Sequence, residues 1–494
     1  MKRRSITAFA LATLLLVSAN SCGTTEMQTS AVDSETETSP AAETVVNERW
    51  LDTVDQSLDF NGAEIGIHCR GEVELEIDVS EQNGNVLNDA VYQRNRAVEE
   101  RMNIVLKLVP GETWKNYRNS LSQIHASIAA GDNAWQILAG WGKHITVLAL
   151  ENCLYDLNSL DYLDTEQPWW NQSSIEGMNI QNNLHFLVGD LSWYTMLGGS
   201  FVVFVNDTLG SQYEIPSISD MVREGTWTID NMKAITVTLM KDLNGDGIMD
   251  ENDQWGMVTN LENAADAYYN SADIHQIQII DGMPKFVPDQ ERVISLIDKI
   301  YPLYYEGETV GSLLFATDGY AMQQKLFVNG QALMMPLCLN AVEGALRDMQ
   351  DTYTIFPYPK LDETQKSYRT ECSNDISLWG IPADNTEPDM AAAVLEVLAA
   401  ETYQNLTPVY FDICIKDKYA RSEETLEMLD IIRNSAYIDV EYAYQTIFGN
   451  TNYVVRELMK SKSTNVASWY AKNTNRINAA VEATLDKLEQ NANS

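Results

Sequence analysis

The stretch from residue 242 to residue 253 reads Asp-Leu-Asn-Gly-Asp-Gly-Ile-Met-Asp-Glu-Asn-Asp. Oxygen-bearing side chains stand at its first, third, fifth, ninth and twelfth positions, and a backbone carbonyl is available at the seventh. Hard oxygen donors at this spacing suit Ca²⁺, which takes roughly six to eight of them. The sequence therefore predicts a structural Ca²⁺ site whose ligands are Asp242, Asn244, Asp246, the carbonyl of Ile248, Asp250 and Asp253.

The last position of this loop departs from the usual pattern. Asp253 stands where a longer, bidentate Glu is the rule, which favours a structural ion over a sensor. Gly247 occupies the sharp turn, and we expect the apolar side chain of Ile248 to point inward. The alternative, an acidic Asn/Gly turn without metal, stays open.

Catalytic side chains show no recognisable spacing elsewhere in the sequence. It contains no Gly-x-Ser-x-Gly elbow, no His-Glu-x-x-His, no phosphate loop and no Rossmann glycine fingerprint. Glycosidases use two carboxylates at a set distance in space. A sequence with 71 acidic residues does not exclude such a pair. We therefore expect a protein that is not an enzyme, with a secreted glycoside-active protein as one alternative.

The elements that must position such groups belong to a large acidic chain. Its 494 residues, 45% of them hydrophobic, suggest two or more globular domains. The 33 Lys and Arg against 71 Asp and Glu give a formal net charge of −38, which repels phosphate backbones and argues against nucleic acid. We also expect the ligand to be neutral.

The N-terminus carries a targeting signal. A basic start at residues 1–4 precedes an apolar stretch, residues 6–19, that is too short to span a bilayer. The small residues before Cys22 resemble the cleavage site of a bacterial lipoprotein, which predicts a signal peptide at 1–22 and lipidation of Cys22. The polar, acidic residues 23–55 are predicted to form a disordered tether. An ordinary secretory signal with an incidental Cys is the alternative.

Strand and helix patterns alternate from about residue 60 to residue 140. Three β-rich runs are separated by two amphipathic helical stretches, a βαβαβ order that favours a largely parallel sheet flanked by helices. The remaining cysteines show no short-range pairing and no metal motif, so we read them mostly as buried small apolar residues. They are Cys69, Cys153, Cys338, Cys372 and Cys414.

Several separate stretches, taken in order, carry a family resemblance. They are residues 88–100, residues 225–230, the loop at 242–253 followed by Trp255-Gly256, residues 327–335, residues 357–360 and residues 380–382. Together with the lipoprotein leader, these stretches resemble the carbohydrate-type family 1 of extracellular solute-binding proteins of bacterial ABC transporters.

The resemblance implies a two-lobe periplasmic-binding-protein-like α/β fold of type II. Each lobe would hold a mostly parallel sheet flanked by helices, with a helical C-terminal part. Lobe 1 would take residues 56–192 and 326–378, and lobe 2 residues 193–325 and 379–494, with crossings near residues 192–204, 326 and 379.

The implied function is capture of a carbohydrate, expected to be an oligosaccharide, in an interlobe cleft. The expected protein is a monomer anchored to the outer face of the cell membrane by lipid alone, and it delivers the sugar to ABC permease subunits. A two-lobe binder of a peptide or another polar solute is a further alternative.

Ligands in such α/β folds bind beyond the carboxyl ends of parallel strands. Sugars need aromatic rings for their apolar faces and polar side chains for their hydroxyls. Of the aromatic candidates we rank Trp141, Trp193 and Tyr269 highest. The full set of predicted ligand-binding residues is Arg70, Trp141, Lys143, Trp193, Tyr194, Asp266, Tyr268, Tyr269, Asn340, Asp375 and Trp379.

Overall fold

The computed structural model describes residues 49–305, 312–315, 319–347, 349–373, 375–416 and 423–492. The predicted signal peptide at 1–22, the lipidation site Cys22 and residues 23–48 of the predicted tether lie outside the described residues. Within the described part of the chain, no helix has the length and apolar character needed to cross a membrane.

The last part of the predicted tether, residues 49–55, is packed. Arg101 donates hydrogen bonds of 2.6 and 2.8 Å to the Asp52 carboxylate, and its guanidinium lies 4.5 Å from the centre of the Trp50 ring. Val54 is buried in the neighbouring core. These contacts offset the entropy lost on ordering the segment. The prediction of a tether that reaches residue 55 is therefore wrong.

The described elements are numbered along the chain. The strands are β1 (Ala63–Cys69), β2 (Ile104–Pro110), β3 (Ile137–Trp141), β4 (Phe201–Asn206), β5 (Trp255–Asn260), β6 (Ile277–Ile280), β7 (Met283–Phe286), β8 (Ser312–Phe315), β9 (Ala332–Cys338), β10 (Tyr353–Pro357), β11 (Thr370–Glu371), β12 (Ser377–Gly380) and β13 (Ala436–Tyr437). The helices are α1 (Glu74–Ile77), α2 (Val86–Met102), α3 (Tyr117–Ala130), α4 (Gly142–Leu150), α5 (Gln172–Met178), α6 (Asp207–Gln212), α7 (Ile218–Glu224), α8 (Ile229–Thr236), α9 (Asn263–Ser271), α10 (Gln290–Tyr305), α11 (Tyr320–Val328), α12 (Pro388–Glu401), α13 (Thr407–Lys416), α14 (Glu423–Ser435), α15 (Val440–Ala443), α16 (Val454–Lys460) and α17 (Val466–Ala492).

The first sheet has the strand order β12-β3-β1-β2. β1 pairs in parallel with β2 and with β3, while β12 pairs antiparallel with β3. Helix α2 connects β1 to β2 and turns Val91, Val98 and Met102 into the core, as the period of its apolar residues predicts. The predicted βαβαβ arrangement is confirmed.

The second sheet has the order β10-β4-β9-β5-β8. β5 pairs in parallel with β8 and β9, and β4 pairs antiparallel with β9 and β10. Because β9 and β10 belong to this sheet, the assignment of residues 326–378 to lobe 1 is wrong, and so is a crossing at residue 326. Only β12, at the end of that segment, joins the first sheet among its described strands.

The C-terminal part is helical but does not belong to one lobe. Helix α12 packs against α2 beside the first sheet, whereas α14 packs against β10 of the second. The assignment of residues 379–494 to lobe 2 is therefore too broad.

The chain passes between the sheets through a π-helical turn, Trp193–Leu197, which leads into β4. Gly199 follows it, and a β-carbon there would lie 2.1 Å from the Thr195 carbonyl oxygen, so only glycine fits this turn. π-helical turns are frequent at functional sites.

The Pro168-Trp169-Trp170 segment is structural. Both indole groups are buried and donate hydrogen bonds of 3.1 and 2.9 Å to the Glu396 carboxylate on α12. Burial raises the pKa of Glu396 to about 7. The two tryptophans therefore hold this loop against α12 beside the first sheet.

Cys69, Cys153, Cys338 and Cys372 are free thiols. Cys69 and Cys372 are buried, as the sequence predicts, while Cys153 and Cys338 are half-buried. The side chain of Cys414 lies outside the described residues.

Candidate functional site

A cavity of about 320 Å³ lies where strands of both sheets end. Arg70 and Glu72 follow β1 of the first sheet, while Asn263 follows β5 and Asn340 follows β9 of the second. Tyr194, Thr195 and Gly199 of the crossing segment also line it. The remaining lining residues are Val73, Phe201, Tyr320, Cys338, Ser373 and Asp375.

The first-lobe wall beside the cavity is built around Trp141. The Arg70 guanidinium lies 5.1 Å from the centre of the Trp141 ring, and the Lys143 ammonium lies 3.3 Å from it. Tyr117 packs edge-on against the same ring at 5.7 Å. The Trp141 ring, which the sequence suggests for sugar stacking, is thus buried and contacts two cationic side chains.

Arg70 also joins the first lobe to the segment before β12. It donates a hydrogen bond to the backbone carbonyl of Asp375, and its Nη1 lies 3.7 Å from the Asp375 carboxylate. The Arg70 side chain is buried, whereas that of Asp375 is 55% exposed. Burial lowers the pKa of Lys143; Asp375 acts in the opposite direction, and Arg70 lowers it further.

The crossing segment brings a phenol and a hydroxyl to the cavity. Buried Glu76 accepts hydrogen bonds from the Thr195 backbone N–H at 2.8 Å and its hydroxyl at 2.7 Å. Burial raises the pKa of Glu76. Tyr194 is half-buried, and its pKa is raised first by burial and then by the charges of Glu343 and Glu76. Its phenol therefore stays protonated and can donate hydrogen bonds.

The second-lobe wall is held in place by a buried ion pair. Arg456 on α16 binds the Asp266 carboxylate and donates a 2.8 Å hydrogen bond to Oδ1 of Asn263. This leaves the Asn263 amide NH₂ as a hydrogen-bond donor at the cavity. Asn340 is placed by its backbone N–H, which donates a hydrogen bond to the Gly198 carbonyl at 2.8 Å.

Four of the predicted ligand-binding residues line this cavity: Arg70, Tyr194, Asn340 and Asp375. Trp141 and Lys143 lie directly behind and beside Arg70. Their contact with a ligand stays a prediction.

Two predicted aromatic residues at the crossings face the core instead. Trp193 is fully buried and packs edge-on against Tyr410, with ring centres 5.5 Å apart. Trp379 is buried on β12 and donates a 2.9 Å hydrogen bond to the Ser192 hydroxyl. Neither ring is available to stack on a ligand in this structure, so both predictions are wrong for it.

The three predicted residues on α9 are buried as well. The Tyr269 hydroxyl donates to Glu441 at 2.8 Å, and the Tyr268 ring packs against Tyr358. Asp266 is engaged by Arg456, and burial raises its pKa to about 7 although the arginine opposes the shift. These residues support the second-lobe wall from behind and do not line the cavity.

Sequence reasoning missed Asn263, Tyr320, Thr195, Ser373 and Tyr117. The strand-end rule that pointed to Arg70 would also have led to Asn263, three residues beyond β5. No sequence signal marks Thr195 or Ser373, since only the fold of the crossing brings them to the cavity.

The 242–253 loop is shaped by its own hydrogen bonds. The Asp242 carboxylate accepts from the backbone N–H groups of Gly245 and Gly247, at 2.6 and 2.9 Å. Both glycines have left-handed φ values, +75° and +77°. Asp253 is buried and accepts from the N–H groups of Leu243 and Asp250, each at 2.9 Å. The loop backbone thus has the tight turns that the calcium pattern requires.

Two features of the loop differ from the expectation. The Ile248 side chain is 64% exposed, so the prediction that it points inward is wrong. Among the described residues, no three Asp, Glu, His or Cys side chains converge as metal ligands would. Asn244, Asp246 and Asp250 accept hydrogen bonds from backbone N–H groups two residues ahead, so rotation of side chains would have to accompany ion binding.

Solved structures share this architecture, although no protein-family model and no curated protein matches the sequence. An extracellular solute-binding protein from Staphylococcus aureus in complex with maltose has a TM-score of 0.54 at 12% identity, covering 87% of this chain and 97% of that chain. The maltose/maltodextrin-binding domain from Bdellovibrio bacteriovorus, bound to maltotriose, has a TM-score of 0.51 at 13% identity, over 87% and 100%. An ABC substrate-binding protein from Listeria monocytogenes in complex with cycloalternan also gives 0.51 at 13%, over 87% and 99%.

These alignments extend over nearly the whole of each neighbour and over 87% of this chain, so the predicted fold class is confirmed. The chain has the two-lobe α/β fold of the solute-binding proteins of ABC transporters.

Proposed function

We propose that this protein captures a carbohydrate, in the form of an oligosaccharide, in the cavity between its two sheets and delivers it to the permease of an ABC importer. The observation that carries the proposal is the cavity itself. It lies at the strand ends of both lobes and collects hydroxyl, amide and charged groups from each lobe and from the crossing segment. Closure of the lobes would bring these groups around a ligand.

The ligands of the structural neighbours support a sugar. The three solved proteins compared above hold maltose, maltotriose and cycloalternan. The cavity described here offers Tyr194, Asn263 and Asn340 as donors and acceptors for sugar hydroxyls. An extended carbohydrate would place one unit in the cavity and the others outside its opening.

Calorimetric titration with a panel of oligosaccharides tests the proposal. We expect saturable binding of one ligand per protein monomer for at least one member, without release of reducing ends. Release of reducing ends would favour the glycoside-active alternative. Binding of peptides with no response to any sugar would favour the peptide-binding one.

We further propose that the protein acts outside the cytoplasm as a lipoprotein, held to the membrane through Cys22. The support is the basic and apolar leader and the small residues that precede this cysteine. Cys22→Ala is expected to move the protein from the membrane fraction to the medium. Retention of the variant in the membrane fraction would refute the anchor.

The 242–253 loop is proposed to hold a structural Ca²⁺. The support is its donor set, Asp242, Asn244, Asp246, Asp250, Asp253 and the Ile248 carbonyl, together with the two left-handed glycines. A chelator should lower the melting temperature, and added Ca²⁺ should restore it. Asp246→Ala should abolish the response. An unchanged melting temperature in the parent protein would refute the site.

A further inference from the structure

Two cations meet at the first-lobe side of the cavity. Arg70 and Lys143 lie 5.1 and 3.3 Å from the centre of one ring, that of Trp141. The backbone fixes this arrangement, because β1 and β3 are adjacent parallel strands and the two residues follow their carboxyl ends. Like charges this close repel each other unless an anion offsets them.

The protein offers little negative charge to this pair. Asp375 faces Arg70 at 3.7 Å, but its side chain is 55% exposed. Among the described residues, no carboxylate oxygen lies within 4.0 Å of the Lys143 ammonium. Nε of Arg70 is buried and has no hydrogen-bond partner within the described part of the chain. Among the described residues, the buried Nε–H of Arg70 therefore has no acceptor, and the Lys143 ammonium group has aromatic rings but no carboxylate beside it.

The other acidic groups around the cavity do not fill this role. Glu72 lines the cavity but is exposed to solvent, and burial raises the pKa values of Glu76 and Glu343. Glu76 is committed to Thr195. A group that completes the pair must therefore come from the ligand.

We infer that the cleft takes a carbohydrate that carries a carboxylate, such as a uronic acid unit, and that this carboxylate lies between Arg70 and Lys143. The inference rests on the proposed function. A planar carboxylate matches the hydrogen-bond fork of a guanidinium, and an ammonium group adds a point charge. The sugar hydroxyls would then face Tyr194 and Asn340.

This conclusion differs from the neutral ligand expected above, and it concerns a protein with a formal net charge of −38. The net charge is spread over the surface and is screened beyond about 8 Å at physiological ionic strength. Arg70 and Lys143 would instead touch the ligand directly, and their partial burial weakens the screening of their charges by salt. The local arrangement therefore decides which ligand binds.

The test uses calorimetry of the full chain with trisaccharides of galacturonate, glucuronate, mannuronate and guluronate. Each is paired with the neutral trisaccharide obtained by reducing its carboxyl groups. At least one acidic trisaccharide should bind tenfold or more tightly than its neutral partner. Lys143→Met should remove at least tenfold of that preference. Lys107→Met, which removes a 61% exposed lysine of β2, is the matched control and should change neither affinity.

The outcomes separate the inference from the proposed function. If neutral trisaccharides bind as tightly as acidic ones, or more tightly, the carboxylate inference is overturned while sugar binding stands. If the acidic preference persists in Lys143→Met and in Arg70→Gln, the assigned position of the carboxylate is overturned. If no saccharide binds at all, both ideas fail.

Discussion

His275 contacts two carboxylates, and its removal should change how stability depends on pH. Its Nδ1 lies 2.7 Å from the Asp439 carboxylate and its Nε2 lies 3.1 Å from that of Asp273. Arg369 donates a 2.8 Å hydrogen bond to Asp273, and Tyr437 packs edge-on against the imidazole. The network joins the segment before β6 to the ends of β11 and β13.

Burial alone would lower the pKa of His275, but the hydrogen bonds and charges of Asp273 and Asp439 raise it from 6.5 to about 10. The folded chain therefore holds a proton on this residue between pH 6.5 and about 10, where the unfolded chain releases it. The stabilisation is fully present below pH 6.5 and is lost as the pH rises toward 10, at no more than about 1.4 kcal/mol per pH unit. Because the side chain is 28% exposed, we expect a total of about 3 kcal/mol.

Urea unfolding of the parent and of His275→Gln, followed by tryptophan fluorescence from pH 6 to 10, measures this contribution. The parent should be about 3 kcal/mol more stable than the variant at pH 6, and the gap should close toward pH 10. His185→Gln is the control, because it removes a histidine whose Nδ1 lies 3.2 Å from a backbone carbonyl oxygen in place of a carboxylate. A His275→Gln gap that is constant over the range would refute the reasoning.

Two further predictions concern buried carboxylates. Arg456→Met should lower the free energy of unfolding by about 3 kcal/mol, because it leaves the buried Asp266 carboxylate without its arginine partner. In urea unfolding, the double variant that also carries Asp266→Asn should recover part of that loss. A double variant no more stable than the single one would contradict the stranded-charge explanation. Trp170→Phe should cost about 1–2 kcal/mol, because Oε2 of Glu396 loses its indole donor; a cost below about 0.5 kcal/mol would show that this hydrogen bond is dispensable.

The sequence predicts best those elements whose apolar residues follow a regular period along the chain. The first three strands and the helices between them are amphipathic segments in a regular order, so their arrangement could be predicted. Arg70 follows β1 of the first sheet and Asn340 follows β9 of the second, and both line the cavity, because the strand ends of the two sheets meet there.

Other features depend on partners that are remote in the sequence. The pairing of β9 with β4 joins residues more than a hundred positions apart, so nothing local assigns residues 326–378 to the second lobe. Helix α9 is buried from Ala264 to Ser271, on all of its faces, so no apolar stripe in the sequence marks it as a helix or places Tyr268 and Tyr269 in the core. The directions of the Trp193 and Trp379 rings are set by core packing, which no local pattern indicates.

The central claim is that a carbohydrate binds in the cavity between the two sheets. The most direct measurement is a calorimetric titration of the parent and of Asn340→Trp, which fills the cavity, with the tightest-binding saccharide. Asn158→Trp, on an exposed turn, is the matched control. We predict that Asn340→Trp weakens binding at least a hundredfold at an unchanged melting temperature, while Asn158→Trp binds like the parent. Unchanged binding by a folded Asn340→Trp would contradict the assignment of this cavity as the sugar site.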